Sequence, residues 1–195
     1  MDTLNLQIPA PNYQTVKVNI IGDMPIIFHR FSDKARKMIE DKQAKKASSN
    51  VRPKRDPKGE ADDAMYWTSD KKAGFPALSF KHSIINAARN IDGLPMTMLW
   101  GNIFVIADDK ATGLVYIKNK KLDLRADMVR VGRGAADVRY RNQGLDWSAV
   151  LTIEYNADVL SAEQVVNLVA HAGKSVGGGD WRPQKKGLYG TWKIT

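Results

Sequence analysis

The residues with most chemical promise crowd into Gly177-Gly178-Gly179-Asp180-Trp181-Arg182-Pro183-Gln184-Lys185-Lys186. A glycine run lets backbone approach a ligand closely and can turn N–H groups toward phosphate. Trp181 offers a stacking plane, Arg182 a fixed charge, and Lys185 and Lys186 add two more cations. The spacing is not that of a Walker loop, so nucleotide hydrolysis is not indicated. The structural alternative is a plain helix-to-strand loop with Trp181 and Trp192 in the core. A second group is rich in arginine: Arg125, Arg130, Arg133, Arg139 and Arg141, with Tyr140 among them. Guanidinium suits bidentate phosphate contacts and stacking. The alternative for these is ion pairing with Asp123, Asp127 and Asp137. A third group, Lys42, Lys45, Lys46, Arg52, Lys54 and Arg55, precedes Tyr66 and Trp67. Aromatics among cations make a single-strand platform, each stacked base contributing ~1–3 kcal/mol. Tyr66 and Trp67 could equally pin their segment to the core.

The elements that must position these groups are read from periodicity. Tyr13–Ile21 alternates, with Val16, Val18 and Ile20 on one face, and predicts a half-buried strand ended by Gly22-Asp23. Met24–Arg30 is a second apolar run beside it. Ser32–Lys46 predicts a helix capped by Ser32 or Asp33, with a thin apolar face. Ala47–Asp63 reads as a long mobile loop, and residues 30–75 as a projecting insertion. Ser79–Ile91 has helical spacing in Phe80, Ile84, Ala87, Ala88 and Ile91. Ile103–Ile106 and Leu114–Ile117 read as a buried strand pair, and residues 118–147 as a basic hairpin or loop insertion. Ser148–Tyr155 is a further strand. Ser161 with Gln164 forms a capping box for a helix stopped by Gly173. Leu188–Ile194 closes the chain as a strand. Without the insertions, the order suits one α+β domain spanning residues 1–195, with a ferredoxin-like (RRM-like) β-α-β-β-α-β core.

Charge narrows the partner. Residues 30–58 carry +7, residues 118–141 +5 and residues 174–195 +4, so the other 120 residues carry −7 of a total of +9. Segregation of this kind points to a polyanion. The alternative is three solvated loops with no partner. The chain has no cysteine, which excludes disulfides, thiolate zinc sites and cysteine nucleophiles. No carboxylate pair stands at metal-ligand spacing with a histidine, so neither metal nor cofactor is expected. There is no membrane-length apolar run, and the N-terminus lacks a signal pattern, so the expected location is the cytoplasm. Of the three histidines, His82 and His171 fall on helices, where packing is the commoner role.

The run from Gly177 to Trp192 resembles the glycine-rich loop of the repeat-associated mysterious protein (RAMP) superfamily, whose members include RNA-binding subunits of CRISPR effector complexes. Phe75-Pro76-Ala77-Leu78-Ser79-Phe80-Lys81, leading to Arg89, resembles the entry to that family's first core helix, with Leu78 where a small residue is usual. The ending also resembles that of small phage-encoded proteins. The resemblance implies a thumb between the first strand and first helix, where residues 30–75 lie. It implies that Ser79 and Lys81 face phosphate, as helix N-termini favour in any case, and that Gly178 and Gly179 cross the bound backbone. It implies subunits stacked side by side along a strand, and a thumb reaching over a neighbour makes the expected self-association head-to-tail. It also raises an endoribonuclease reading, with His29, Asp23 or Asp33 as candidates, because related nucleases use a histidine or an aspartate before or within the thumb. The expected function is non-enzymatic binding of single-stranded RNA or DNA. The alternatives are that nuclease, and an adaptor for an acidic protein.

Overall fold

Alternation along Tyr13–Gly22 produces β1, which buries Val18 and Ile20 and leaves Lys17 and Asn19 in solvent. In the computed structural model, residues 7, 9–31, 33–44, 54–131 and 134–195 are described. The apolar run after β1 contributes β2 (Ile26–Ile27), both residues fully buried with Phe28. Two helices follow, α1 (Asp33–Gln43) and α2 (Pro57–Asp63). The second corrects the expectation of continuous loop: Pro57 supplies the fixed φ of a first helical turn, and Ala61 gives it a buried face. Then come β3 (Gly74–Pro76), α3 (Ala77–Ala87), α4 (Met96–Trp100) and β4 (Ile103–Ile106). The remaining elements are β5 (Leu114–Tyr116), β6 (Lys121–Val131), β7 (Ala135–Leu145), β8 (Ser148–Asn156), α5 (Ala162–Ser175) and β9 (Trp192–Ile194).

The chain is α+β with antiparallel sheets. The main sheet has the order β4-β8-β1-β9, every neighbouring pair antiparallel. Register places Val18 opposite Leu151 and Ile20 opposite Ala149, so one face is apolar. On it lie α3 and α5, packed side by side, with Phe80, Ile84, Leu168 and Val169 buried. A column of near-perpendicular rings, Tyr66, Phe75, Phe80, Trp192 and Trp147, runs through this core with centroids 5.3–6.3 Å apart. The Trp192 indole N–H donates to Val169 O at 3.1 Å and that of Trp147 to Met24 O at 2.8 Å, so both buried indoles are satisfied.

Four other expectations are corrected. β4 and β5 do not pair with each other; β4 joins β8 and β5 joins β3. Asp109 is the reason. Its carboxylate accepts from Ser69 N–H, Ser69 Oγ, Ala111 N–H and Thr112 Oγ1 at 2.7–3.0 Å, tying the turn after β4 to the segment before β3. Those bonds, Ser69 foremost, hold its carboxyl well below the usual carboxylate range. The first core helix starts at Ala77, before Ser79, and tightens into a 3₁₀ turn over Ala88–Asn90. Gly173 does not stop α5; a Cβ there would stand 2.2 Å from Trp192 O, so glycine serves helix–strand contact. Leu188–Gly190 is not strand: Tyr189 N–H donates to Trp181 O and Gly190 N–H to Pro25 O. The basic stretch of 118–147 is the β6–β7 hairpin, which β2 joins in a sheet of order β2-β7-β6.

Candidate nucleic-acid interface

The glycine-rich segment lies against β2 and faces the start of α3. Gly179 has φ +74°, and a Cβ there would meet Ile27 O at 2.6 Å. Asp180 N–H donates to Ile27 O at 3.0 Å and Gly178 N–H to Gly190 O at 2.9 Å, while Gly177 N–H goes to Ala172 O. The loop amides of Gly177, Gly178 and Asp180 are thus spent inside the protein. Gly178 and Gly179 form a floor and not a nest of successive free amides, because Gly190 and β2 take the N–H groups of Gly178 and Asp180 on either side of Gly179.

Above that floor is a cleft of two adjoining recesses. One, of about 80 Å³, is lined by Ser79, His82, Gly177–Gly179, Arg182 and Gln184; the other, of about 140 Å³, by His29, Tyr66 and Asp180, with Phe75, Ser79, Gly179 and Arg182 shared. Helix α3 enters from Pro76 without a side-chain cap; Ala77 N–H donates to Gly113 O, and the rest of the first turn gives this wall a positive end. The Arg182 guanidinium is fixed by neutral oxygens: Nη1 donates to Gly179 O at 3.0 Å, and Nε and Nη2 donate to Gln184 Oε1 at 3.3 and 3.0 Å. Its orientation is set while its charge is not cancelled by these partners. Lys185 and Lys186, exposed, sit at the tip of the same loop.

An ion chain braces the cleft from behind. His29 Nδ1 lies 3.2 Å from Asp180 Oδ2, and Arg141 Nη1 lies 2.9 Å from the same oxygen. Arg141 Nη1 makes no directed hydrogen bond there, so the contact is an ion pair. The hydrogen bond from His29 foremost, and the Arg141 charge, hold the Asp180 carboxyl below its usual range against the opposing effect of burial. Arg141 is also 3.9 Å from Asp127, whose oxygens accept from Arg125 Nε at 2.7 and 2.8 Å. Arg125 in turn lies over the Tyr189 and Trp181 rings, at 4.5 and 5.7 Å.

This geometry sorts the residues the sequence singled out. Arg182, Ser79 and the floor glycines come together, with Lys185, Lys186 and a 39% exposed Trp181 on the adjoining loop. Trp192, by contrast, is core. Arg141 is 6% exposed between two carboxylates and has no open face for phosphate. Arg139 pairs with Asp137, and Arg55 with Glu60 and Asp137 while lying over the Tyr140 ring. Asp123 is 3.7 Å from Lys121. Arg130 and Lys54 are exposed. Tyr66 pins its segment, its hydroxyl donating to His29 O and its ring edge-on to Phe75; Trp67 Nε1 donates to Asp62 O but stays 39% exposed. Lys81 turns away from Ser79 toward the sheet edge: its ammonium donates to Trp100 O at 2.8 Å and lies 4.1 Å from the Phe104 centroid. Asp23 is taken by Lys174 and Lys193. Lys45, Lys46, Arg52 and Arg133, and the side chains of Asp33 and Lys42, lie outside the described residues. Sequence reading missed Asp180, Gln184 and Tyr189 as braces, although all three stand within the segment that drew attention.

Among the described residues no group of three or more His, Asp or Glu stands where it could hold a metal ion, and no helix is long and apolar enough to cross a membrane. No family model and no curated protein matches the chain. Among solved structures, a chain of the type III-B Cmr-beta complex bound to cognate target RNA, seen by cryo-electron microscopy, superposes with a TM-score of 0.52 and 12% identity. The chain shares the fold of that Cmr-beta chain. The alignment covers 94% of this chain and 59% of the Cmr-beta chain, so the protein spans rather less than two thirds of that neighbour. Cmr6 from Pyrococcus furiosus, a crystal structure, matches with a TM-score of 0.45 and 8% identity over 94% of this chain and 99% of its own. What the fold supplies here is placement: a helix start and a glycine-rich loop meet at one cleft, with the long hairpin bracing it from behind.

Proposed function

We propose that this protein binds single-stranded nucleic acid through its phosphate backbone, without catalysing a reaction. The observation that carries the reading is Arg182, held by neutral oxygens opposite the uncapped start of α3 and continued by Lys185 and Lys186. Phosphate is the anion that such a helix end and guanidinium accept together. The core is read as ferredoxin-like: β1, α3, β4, β8, α5 and β9 follow the β-α-β-β-α-β order, with β1 and β8 central. The segment 30–75 is read as a thumb and β6–β7 as a second insertion on one domain. The Cmr-beta neighbour is described as bound to target RNA, which favours RNA as the first ligand to test. Head-to-tail association along the strand belongs to the same proposal, and the exposed Met38 and Ile39 of α1 support it.

The test is fluorescence anisotropy with labelled oligouridine and oligothymidine of about 20 nucleotides, at roughly 50 and 200 mM salt. The expected result is tighter binding at low salt, with Arg182→Ala losing roughly tenfold and flattening the salt slope by about 0.7. No binding at the lower salt ends the proposal. Displacement of bound oligonucleotide by an acidic protein at lower concentration than by unlabelled strand would favour the adaptor reading.

A second reading has one specific observation behind it: His29, paired to Asp180, has its other ring nitrogen available in the cleft wall. A histidine so oriented can take a proton from a ribose hydroxyl. Metal-independent cleavage of labelled RNA, abolished by His29→Ala, would establish it; intact RNA after prolonged incubation would reject it.

A further inference from the structure

One cluster outside the cleft continues it. Residues Ser79, His82 and Ser83 on α3 line the cleft, and one turn of helix lies between its first and last member. The exposed His82 ring stands 5.1 Å from the Trp100 ring at 76°. Trp100 ends α4, yet 42% of it is exposed, whereas its neighbour Leu99 is fully buried and attaches the helix to the core. Next to Trp100 is the Lys81 ammonium, fixed by Trp100 O at 2.8 Å and 5.8 Å from the indole centroid. Beyond it are Phe104 and Tyr13, and the Tyr13 hydroxyl donates to Gly101 O at 3.0 Å, which steadies the turn after Trp100. The packing needs none of this exposed indole surface.

We propose that Trp100, with His82 beside it, is a base-stacking platform on which the strand lies as it leaves the Arg182 cleft, Lys81 meeting the phosphate of the stacked nucleotide. This rests on the single-strand reading given above and assigns it a direction: out of the cleft over His82, toward the β4 edge of the main sheet. Rings and a cation adjoin one another, the His82 ring against Trp100 and the Lys81 ammonium near both Trp100 and Phe104, as single-strand sites combine them. Glu154 is paired with Phe104 in the β4–β8 register, so an acidic residue neighbours Phe104 and the platform ends there. A stacked base needs a rigid ring more than a hydrogen bond, so the contact tolerates any base.

The experiment compares wild type, Trp100→Ala, Trp100→Phe and Arg182→Ala with the same labelled oligouridine and oligothymidine. Stacking predicts a roughly tenfold loss of affinity in Trp100→Ala, with the salt slope unchanged because no counterion is involved. Trp100→Phe keeps binding within about threefold, since a ring remains. In unlabelled titrations, stacking quenches indole emission, and Trp100→Phe removes a measurable part of that quench. If wild type binds and Arg182→Ala weakens binding while Trp100→Ala does not, the platform is wrong and the cleft stands. Wild type that binds neither oligonucleotide overturns both. Should Trp100→Ala fail to fold, Trp100→Phe decides alone: an undiminished quench overturns the platform. A protein partner on this surface would show as oligonucleotide affinity indifferent to Trp100, which is also a negative result.

Discussion

Asp180 stands where the cleft, the β6–β7 hairpin and the segment after β2 meet, since its Oδ2 lies near both His29 and Arg141. Replacing it by Asn removes the charge facing the buried Arg141 and is expected to cost about 2 kcal/mol at neutral pH. The pH dependence has a definite sign. The folded pKa lies below its ordinary value, so the ionised carboxylate stabilises the fold fully above that ordinary value, near 4, and the stabilisation fades as pH falls through the lower folded value. Urea midpoints of wild type and Asp180→Asn therefore converge on acidification below about pH 4 and stay apart at pH 7. Gly179 makes a second residue-scale prediction. A side chain there would be strained by φ +74° and would press on Ile27 O, so Gly179→Ala should lower stability by about 1–3 kcal/mol and weaken binding with it. Equal urea midpoints for Gly179→Ala and wild type would show that the floor can yield.

Local elements were the legible part of the chain, because their causes are local. Helix α5 carries its own start signal: Gln164 N–H donates to Ser161 Oγ at 3.2 Å and Ser161 N–H to Gln164 Oε1 at 2.8 Å. Ser161→Ala should cost about 1 kcal/mol in urea unfolding and leave oligonucleotide affinity unchanged, since the cap is remote from Arg182. Strand partners were less legible. Nothing within Ile103–Tyr116 states that Asp109 will be claimed by Ser69, yet that bond sends β5 to β3. The same holds for the site. The glycine loop, Arg182 and Ser79 could be picked out from residue types, but whether an arginine is free depends on neighbours distant in sequence. Arg141 meets Asp180 and Arg55 meets Asp137 only after the hairpin has folded back. Residue counts overstate the cations on offer for that reason, and Trp100 escaped notice because a tryptophan in an apolar pentapeptide looks like core.

At the scale of the whole molecule, the net charge of +9 is spent unevenly. Arg55, Arg125, Arg139 and Arg141 are held by carboxylates, while Arg130, Lys185 and Lys186 are exposed and Arg182 faces the cleft. If these last four, and Lys81 beside Trp100, each displace a counterion from a single strand, log K against log salt should have a slope near about −3.5. A slope steeper than about −6 would mean that the paired arginines also release their carboxylates to meet phosphate. The order in which the cleft is made has its own consequence. His29 and Ser79 are made well before Gly177–Gly179, Arg182 and the core indole Trp192. A ribosome must release the polypeptide through Arg182 before the floor and its cation exist. Nascent fragments halted before Gly177 lack both the cleft floor and the indole that packs on Phe80, so the cleft and the hydrophobic interior are completed together, once Trp192 has been made.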